Sequence, residues 1–151
     1  MRSLGAEDFF DINKYSRDAE GTAKLTEDVK KASTSGMGAA AVVVCAASNV
    51  AYAQGLDFLQ FGGKLVCVGV PEGDPVPIAG ADPASLLIRE KSIIGSAVGN
   101  RKDAIETLNM AARGVVKTHF TVEPMSKLTD VFERMEKMQL KGRVVIDLSR
   151  E

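Results

Sequence analysis

The sequence predicts an α/β fold built on a parallel sheet, and three observations carry that expectation. Residues 39–45 (AAAVVVC) and 64–70 (KLVCVGV) are short apolar runs, the pattern of strands buried on both faces. Residues 49–59 carry a helix between them, with Ser48 where that helix would start and Gln60-Phe61-Gly62-Gly63 breaking it. Two buried strands joined by one helix imply parallel pairing and a right-handed crossover. Ligands of such sheets bind at the carboxyl ends of the strands. That marks Ala46-Ala47-Ser48 and Val68-Gly69-Val70 as the first candidate positions.

Taken in order, the chain opens with Gly5 as a helix stop and Phe9-Phe10 as a short strand. Residues 12–21 are polar and read as a loop. Thr22 can cap a helix through about Thr34, with Leu25, Val29 and Ala32 on one face. Four of the five prolines lie from Pro71 to Pro83, and the loop there leaves no room for a regular element. Residues 84–89 form a short helix, and 92–98 (SIIGSAV) a third strand with Gly95 as a bend or close-approach point. Asn100 caps a helix over 101–113, whose buried stripe is Ala104, Ile105, Leu108, Ala111 and Ala112, and Gly114 ends it. Residues 115–122 are a weaker extended segment. Ser126 caps the last helix, with Leu128, Val131, Phe132 and Met135 as its stripe and Gly142 as its stop; residues 143–148 (RVVIDL) close the chain as a strand.

Composition narrows the function classes. Of 151 residues, 45% are hydrophobic and 26% charged, an ordinary globular balance. With 19 basic and 20 acidic residues, the net charge of −1 gives no electrostatic reason to expect nucleic acid or an anionic membrane as partner. No run approaches the roughly 18 to 20 apolar residues of a membrane span, and the first ten residues have no apolar signal core, so a cytoplasmic location is expected. Cys45 and Cys67 fall in the expected strands and read as buried, reduced thiols. There is no CxxC and a single histidine, so no zinc site is expected.

No stretch performs chemistry by itself. GxGxxG, P-loop, HExxH and GxSxG patterns are absent. Gly36-Met37-Gly38 precedes a strand rather than following one, which argues against a phosphate-binding turn. Gly69 either lets a flat ring lie against the backbone or only eases the turn into Pro71; the pattern leaves both open. Asn100 reads as a helix cap, His119 as a surface histidine and Arg143 as a surface charge.

Several segments together resemble one family. They are Leu4-Gly5-Ala6-Glu7, Gly62-Gly63-Lys64-Leu65-Val66, Val68-Gly69-Val70-Pro71, Gly95-Ser96-Ala97-Val98-Gly99-Asn100-Arg101-Lys102-Asp103, Ala111-Ala112-Arg113-Gly114-Val115-Val116-Lys117, Arg134-Met135-Glu136-Lys137 and Gly142-Arg143-Val144-Val145. In order and spacing the chain resembles the zinc-dependent medium-chain alcohol dehydrogenases, the fungal tetrameric type in particular. The resemblance implies the carboxyl-terminal part of such an enzyme. Its fold would be a partial Rossmann-type, doubly wound parallel sheet over residues 1–114. Residues 115–151 would form a segment that returns to the catalytic domain in full-length relatives.

The same resemblance implies NAD as cofactor and, for a whole enzyme, interconversion of primary alcohol and aldehyde. It places the backbone of Val68, Gly69 and Val70, and of Ser96 to Val98, along the nicotinamide, with Arg143 contacting the cofactor; Ala97 stands where the family often has tyrosine. Relatives are more than twice this length. Their zinc ligands, first two sheet strands and glycine-rich phosphate turn precede the part this chain resembles. These residues alone are therefore expected to bind NAD weakly and to be inactive. Strand 40–45 is expected to present an unpaired apolar edge. The alternative is a non-catalytic interaction module, joining copies of itself or full-length subunits through the edge of strand 92–98.

Overall fold

The computed structural model describes residues 4–150. The chain divides into two compact units, one reaching to Ala97 and one starting at Val98. In the first, helix α1 (Ala19–Ala32) is followed by strand β1 (Ala39–Val44), helix α2 (Asn49–Phe58), strand β2 (Leu59–Cys67), helix α3 (Pro83–Ile88) and strand β3 (Ser92–Gly95). The strands form a parallel sheet in the order β1-β2-β3. The expected parallel β-α-β unit is therefore present, and β1 lies at the sheet edge as anticipated.

Alternation along the strands decides which face is buried. Val42, Leu65 and Ile93 lie in register, as do Val44, Cys67 and Gly95. The side chains of this face meet α2, where Val44, Tyr52, Leu56, Leu59 and Leu65 form the core. Leu56, Leu59 and Leu65 are essentially inaccessible, and each such burial is worth roughly 1.5–3 kcal/mol. Gly55 lets α2 approach this closely: a Cβ there would lie 2.8 Å from Leu65 Cδ1 and 3.2 Å from Val44 Cγ2.

The opposite face is not covered. Val43, Val66 and Ile94 are in register on it, and Val43 is 59% exposed. The reading of 39–45 as a strand buried on both faces is thus corrected: an apolar run does not distinguish one covered face from two. The cysteines follow suit. Cys45 is exposed just past β1, Cys67 is half-buried at the end of β2, and both are free thiols.

Boundaries shift for identifiable reasons. α1 begins at Ala19, not at Thr22, because the Asp18 carboxylate accepts the Gly21 N–H at 2.8 Å and caps the helix. Residues 12–14 make a 3-10 turn within the expected loop. Residues 60–63 do not separate helix from strand but belong to β2. The register against β1 shifts between Ala39 and Ala41, and Gly62 takes a left-handed conformation (φ 67°) in the irregularity. β2 stops at Cys67, short of Val70, because the Val68 and Gly69 N–H groups both turn to Val44 O. β3 stops at Gly95, where its partner strand ends. Phe9-Phe10 forms no strand, since an isolated extended segment has no ladder to join among the described residues.

In the second unit, helix α4 (Arg101–Ala112) precedes strand β4 (Phe120–Pro124), helix α5 (Leu128–Glu136) and strand β5 (Arg143–Asp147). β4 and β5 pair in parallel, making a second β-α-β unit. Asn100 caps α4 as expected. Its Oδ1 accepts the Lys102 and Asp103 N–H groups, and Asp103 Oδ2 accepts the Asn100 N–H at 2.7 Å. The expected buried stripe is not buried: Ile105 and Leu108 are 53% and 69% exposed. An apolar stripe needs a partner surface, and the described residues of its own unit supply none for α4.

Ser126 does not cap α5. A 3-10 turn over Met125–Lys127 runs directly into the helix, and the Leu128 N–H bonds Met125 O instead. Of the α5 stripe only Val131 is buried; Phe132 and Met135 are more than half exposed. The helix ends at Glu136, well before Gly142, which instead adopts φ 77° ahead of β5. Arg134 Nη2 ties α5 to β4, donating to both carboxylate oxygens of Glu123 at 2.8 and 2.6 Å. Its Nε lies 3.0 Å from Asp130 Oδ2, an ion-pair contact without hydrogen-bond geometry.

Candidate functional site

The candidate cofactor residues divide between the two units. Val68, Gly69, Val70 and Ser96 belong to the first, at the carboxyl ends of β2 and β3. Val98 and Arg143 belong to the second. Within the first unit, the Val68 and Gly69 N–H groups donate to Val44 O at 3.1 and 2.9 Å, and the Ser96 N–H donates to Cys67 O at 2.9 Å. These bonds fix the two turns beside one another, where the parallel ladders run out.

Gly69 is demanded by its neighbours. A Cβ there would fall 2.4 Å from Ala46 O and 2.8 Å from the Cys45 carbonyl carbon. The glycine thus allows the turn after β2 to touch the turn after β1, and Tyr52 from α2 donates its phenolic hydrogen to Gly69 O. Val70 is different: it is 80% exposed and its backbone has no hydrogen-bond partner among the described residues. A held turn that ends in unpaired, accessible backbone leaves a donor and an acceptor open to a polar ligand.

A cavity of about 410 Å³ opens at the carboxyl end of β1. Ala46, Ser48 and Gln54 line one side, and Ile12, Tyr15 and Arg17 the other. Tyr15 Oη donates to Asp28 Oδ2 at 3.0 Å. Removal from water, then the Asp28 carboxylate, pushes the Tyr15 phenol above its ordinary pKa. Sequence reasoning pointed to Ala46 and Ser48 but missed Tyr15 and Arg17. Their place depends on the chain turning at Asp18 to start α1, and the early Asp18-x-x-Gly21 cap is the signal that could have found them.

In the second unit, Val98 is 98% exposed ahead of the Asn100 cap. Arg143 is exposed at the start of β5, and its backbone N–H donates to His119 O at 2.9 Å. No three His, Cys, Asp or Glu side chains among the described residues come together in a way that could hold a metal ion. The described residues do not fit zinc. No helix of the described residues is long and apolar enough to cross a membrane.

Comparison with known proteins gives a consistent result. The model of a family described as zinc-binding dehydrogenase matches residues 1–113. An alcohol dehydrogenase 2 of Emericella nidulans is 50% identical over 149 residues, covering 99% of this chain and 40% of the relative. An alcohol dehydrogenase of Schizosaccharomyces pombe is 39% identical over 150 residues, covering 99% of this chain and 39% of the relative. The chain thus spans about two-fifths of the length of the curated relatives it matches. Among solved structures, an alcohol dehydrogenase from Aeropyrum pernix superposes with a TM-score of 0.75 at 24% identity, over 97% of this chain and 38% of that one. One from Thermotoga maritima gives 0.75 at 18% identity, over 97% and 39%. These likenesses establish the Rossmann-like α/β fold.

Proposed function

The chain belongs to the zinc-binding dehydrogenase family, and on that premise we propose that its residues form the nicotinamide-proximal part of an NAD-dependent alcohol dehydrogenase. The observation that carries this reading is the 50% identity to an alcohol dehydrogenase over 99% of the chain. The geometry supports it. Val68 and Gly69 are pinned to Val44, Ser96 is pinned to Cys67, and the unpaired backbone of Val70 stands exposed beside them. In this reading the cofactor, when bound, exchanges hydride with the alcohol carbon. The turn at Val68–Val70 and the backbone at Ser96 position the ring, and only the family resemblance adds Val98 and Arg143. Two free thiols suit a reducing, cytoplasmic setting.

By themselves these residues are proposed to be inactive. Among the described residues no group that could hold a metal ion comes together, and the sequence holds no GxGxxG turn to anchor a pyrophosphate. The test is a titration of the purified 151-residue chain with NADH, followed by cofactor fluorescence, together with an ethanol oxidation assay in added zinc. The expected results are binding weaker than micromolar and no turnover. Micromolar binding would contradict the importance assigned to the pyrophosphate turn, and steady turnover would remove the claim of inactivity.

A second reading rests on β3. It is the outer strand of its sheet, so its far edge carries unpaired backbone groups, and Ile94 on it is 43% exposed. In this reading the β3 edge pairs with another copy of the chain or with a full-length subunit. Sedimentation of the chain to a concentration-dependent dimer supports it; a monomer throughout the micromolar range removes it.

A further inference from the structure

We propose that a second site, at the amino-terminal end of the three-stranded sheet, binds a small phosphomonoester dianion through Lys30, Arg89 and Lys91. The three cations line a cavity of about 330 Å³ together with Leu56, Asp57 and Ser85. Lys30 comes from the last turn of α1, Leu56 and Asp57 from the end of α2, and Lys91 immediately precedes β3. The cavity is therefore at the opposite end of the strands from Val68, Gly69 and Ser96, and it does not depend on the dehydrogenase reading.

Lys30 lies in the last turn of α1 and Arg89 is the C-cap residue of α3, but only Lys91 hydrogen-bonds a helix-end carbonyl through its side chain. Lys91 Nζ donates to Leu56 O at 2.6 Å, satisfying a carbonyl at the end of α2. Neither Lys30 nor Arg89 has an ion pair or side-chain hydrogen bond among the described residues. Partial burial and then the neighbouring Arg89 push the Lys91 ammonium below its ordinary pKa. Asp57 opposes that shift, while Lys30 adds to it. With one carboxylate against three cations, two positive charges around the cavity lack a carboxylate partner. A phosphomonoester dianion matches that charge, and a guanidinium beside ammonium groups suits phosphate oxygens.

The backbone is arranged to bring the cations together. Glu90, between Arg89 and Lys91, takes a left-handed conformation (φ 49°) that is uncommon outside glycine. The Arg89 carbonyl is fixed by the Gly62 N–H at 2.9 Å, and the Lys91 N–H by Leu86 O at 3.0 Å. Strain at such a position persists where surrounding contacts over-determine it, and it concentrates at ligand sites. The cavity volume lies at the small end of ligand sites, suited to a sugar monophosphate rather than to a dinucleotide.

The test is backbone-amide NMR of the intact 151-residue chain, titrated at constant ionic strength with glucose 6-phosphate, inorganic phosphate and succinate. Saturable shifts at Gly80 and Ser85 are expected, with the two phosphates binding more tightly than succinate. Glucose 6-phosphate binding more tightly than inorganic phosphate supports the monoester assignment; the reverse order overturns it. The Lys30→Gln/Arg89→Gln double variant is expected to bind at least tenfold more weakly. Asp57→Asn is expected to bind several-fold more tightly, a gain that misfolding cannot mimic. Non-saturating shifts, succinate binding equal to phosphate, or unchanged affinity in Asp57→Asn would each overturn the proposal.

Discussion

The Tyr52 phenol on α2 donates a hydrogen bond to the carbonyl oxygen of Gly69, in the turn proposed to meet the nicotinamide. Tyr52 is only 4% exposed and belongs to the core, so packing beneath the sheet end is linked directly to the candidate cofactor surface. Tyr52→Phe keeps the ring and removes the bond. A buried hydrogen bond of this kind contributes about 0.5–1.5 kcal/mol. The expected outcome in urea unfolding is a loss of about that size with an unchanged m-value. The amides of Val68 and Gly69, both bonded to Val44 O, should also exchange faster with solvent, whereas those within β1 should not.

Gly55 offers a sharper test of how the helix seats on the sheet. Its missing side chain leaves room for Leu65 and Val44 to meet the α2 backbone. Alanine there gains helix propensity of about 1 kcal/mol but must displace Leu65 Cδ1, the flexible end of a side chain. Leucine has no such escape. Gly55→Leu is expected to destabilise the first unit by at least the 1–3 kcal/mol typical of overpacking, while Gly55→Ala stays within about 1 kcal/mol of the parent. Thermal unfolding of the two variants separates a seating role from simple propensity.

The start of α1 should respond to acid. The Gly21 N–H, and after it the Ser16 hydroxyl, hold the Asp18 carboxyl below its ordinary value of 3.8. Folding lowers this pKa, so the unfolded chain binds more protons in acid. The stabilising contribution is present in full above the unfolded value and is lost as pH falls through the folded one. The Gly21 amide shift should therefore titrate below about pH 4, with fraying of the first turn of α1. Asp18→Asn, which caps without titrating, should abolish that transition. A Gly21 shift that still titrates in the variant would show that another group is responsible.

Legibility in the sequence followed the range of each interaction. The α4 cap could be read because Asn100 and Asp103, which satisfy each other, stand three residues apart. The parallel β1-α2-β2 unit could be read because it is made of contiguous apolar runs, and the turn at Gly69 because a glycine and Pro71 follow a strand. What escaped depended on distant partners. Nothing local to Tyr52 announces Gly69, 17 residues on. Lys30, Arg89 and Lys91 meet at one cavity only because the end of α1 packs near the turn between α3 and β3. Burial was over-read for the same reason: the stripe of α4 and the outer face of β1 are apolar in sequence, but burial is a property of whatever lies opposite.

That uncovered outer face yields the last prediction. Val43, Val66 and Ile94 lie side by side across β1, β2 and β3, with Val43 and Ile94 59% and 43% exposed. β1 adds an unpaired edge to the same surface. An apolar face continuous with an open strand edge favours association between chains. Both side chains point away from the α2 core, so replacing them costs little in folding, about 0.5 kcal/mol or less for surface positions. Val43→Lys/Ile94→Lys should therefore keep the urea midpoint near that of the parent and shift sedimentation from concentration-dependent association to a monomer. Parent and variant sedimenting alike would mean that this face does not drive association. A large loss of midpoint would mean that the face is covered in solution.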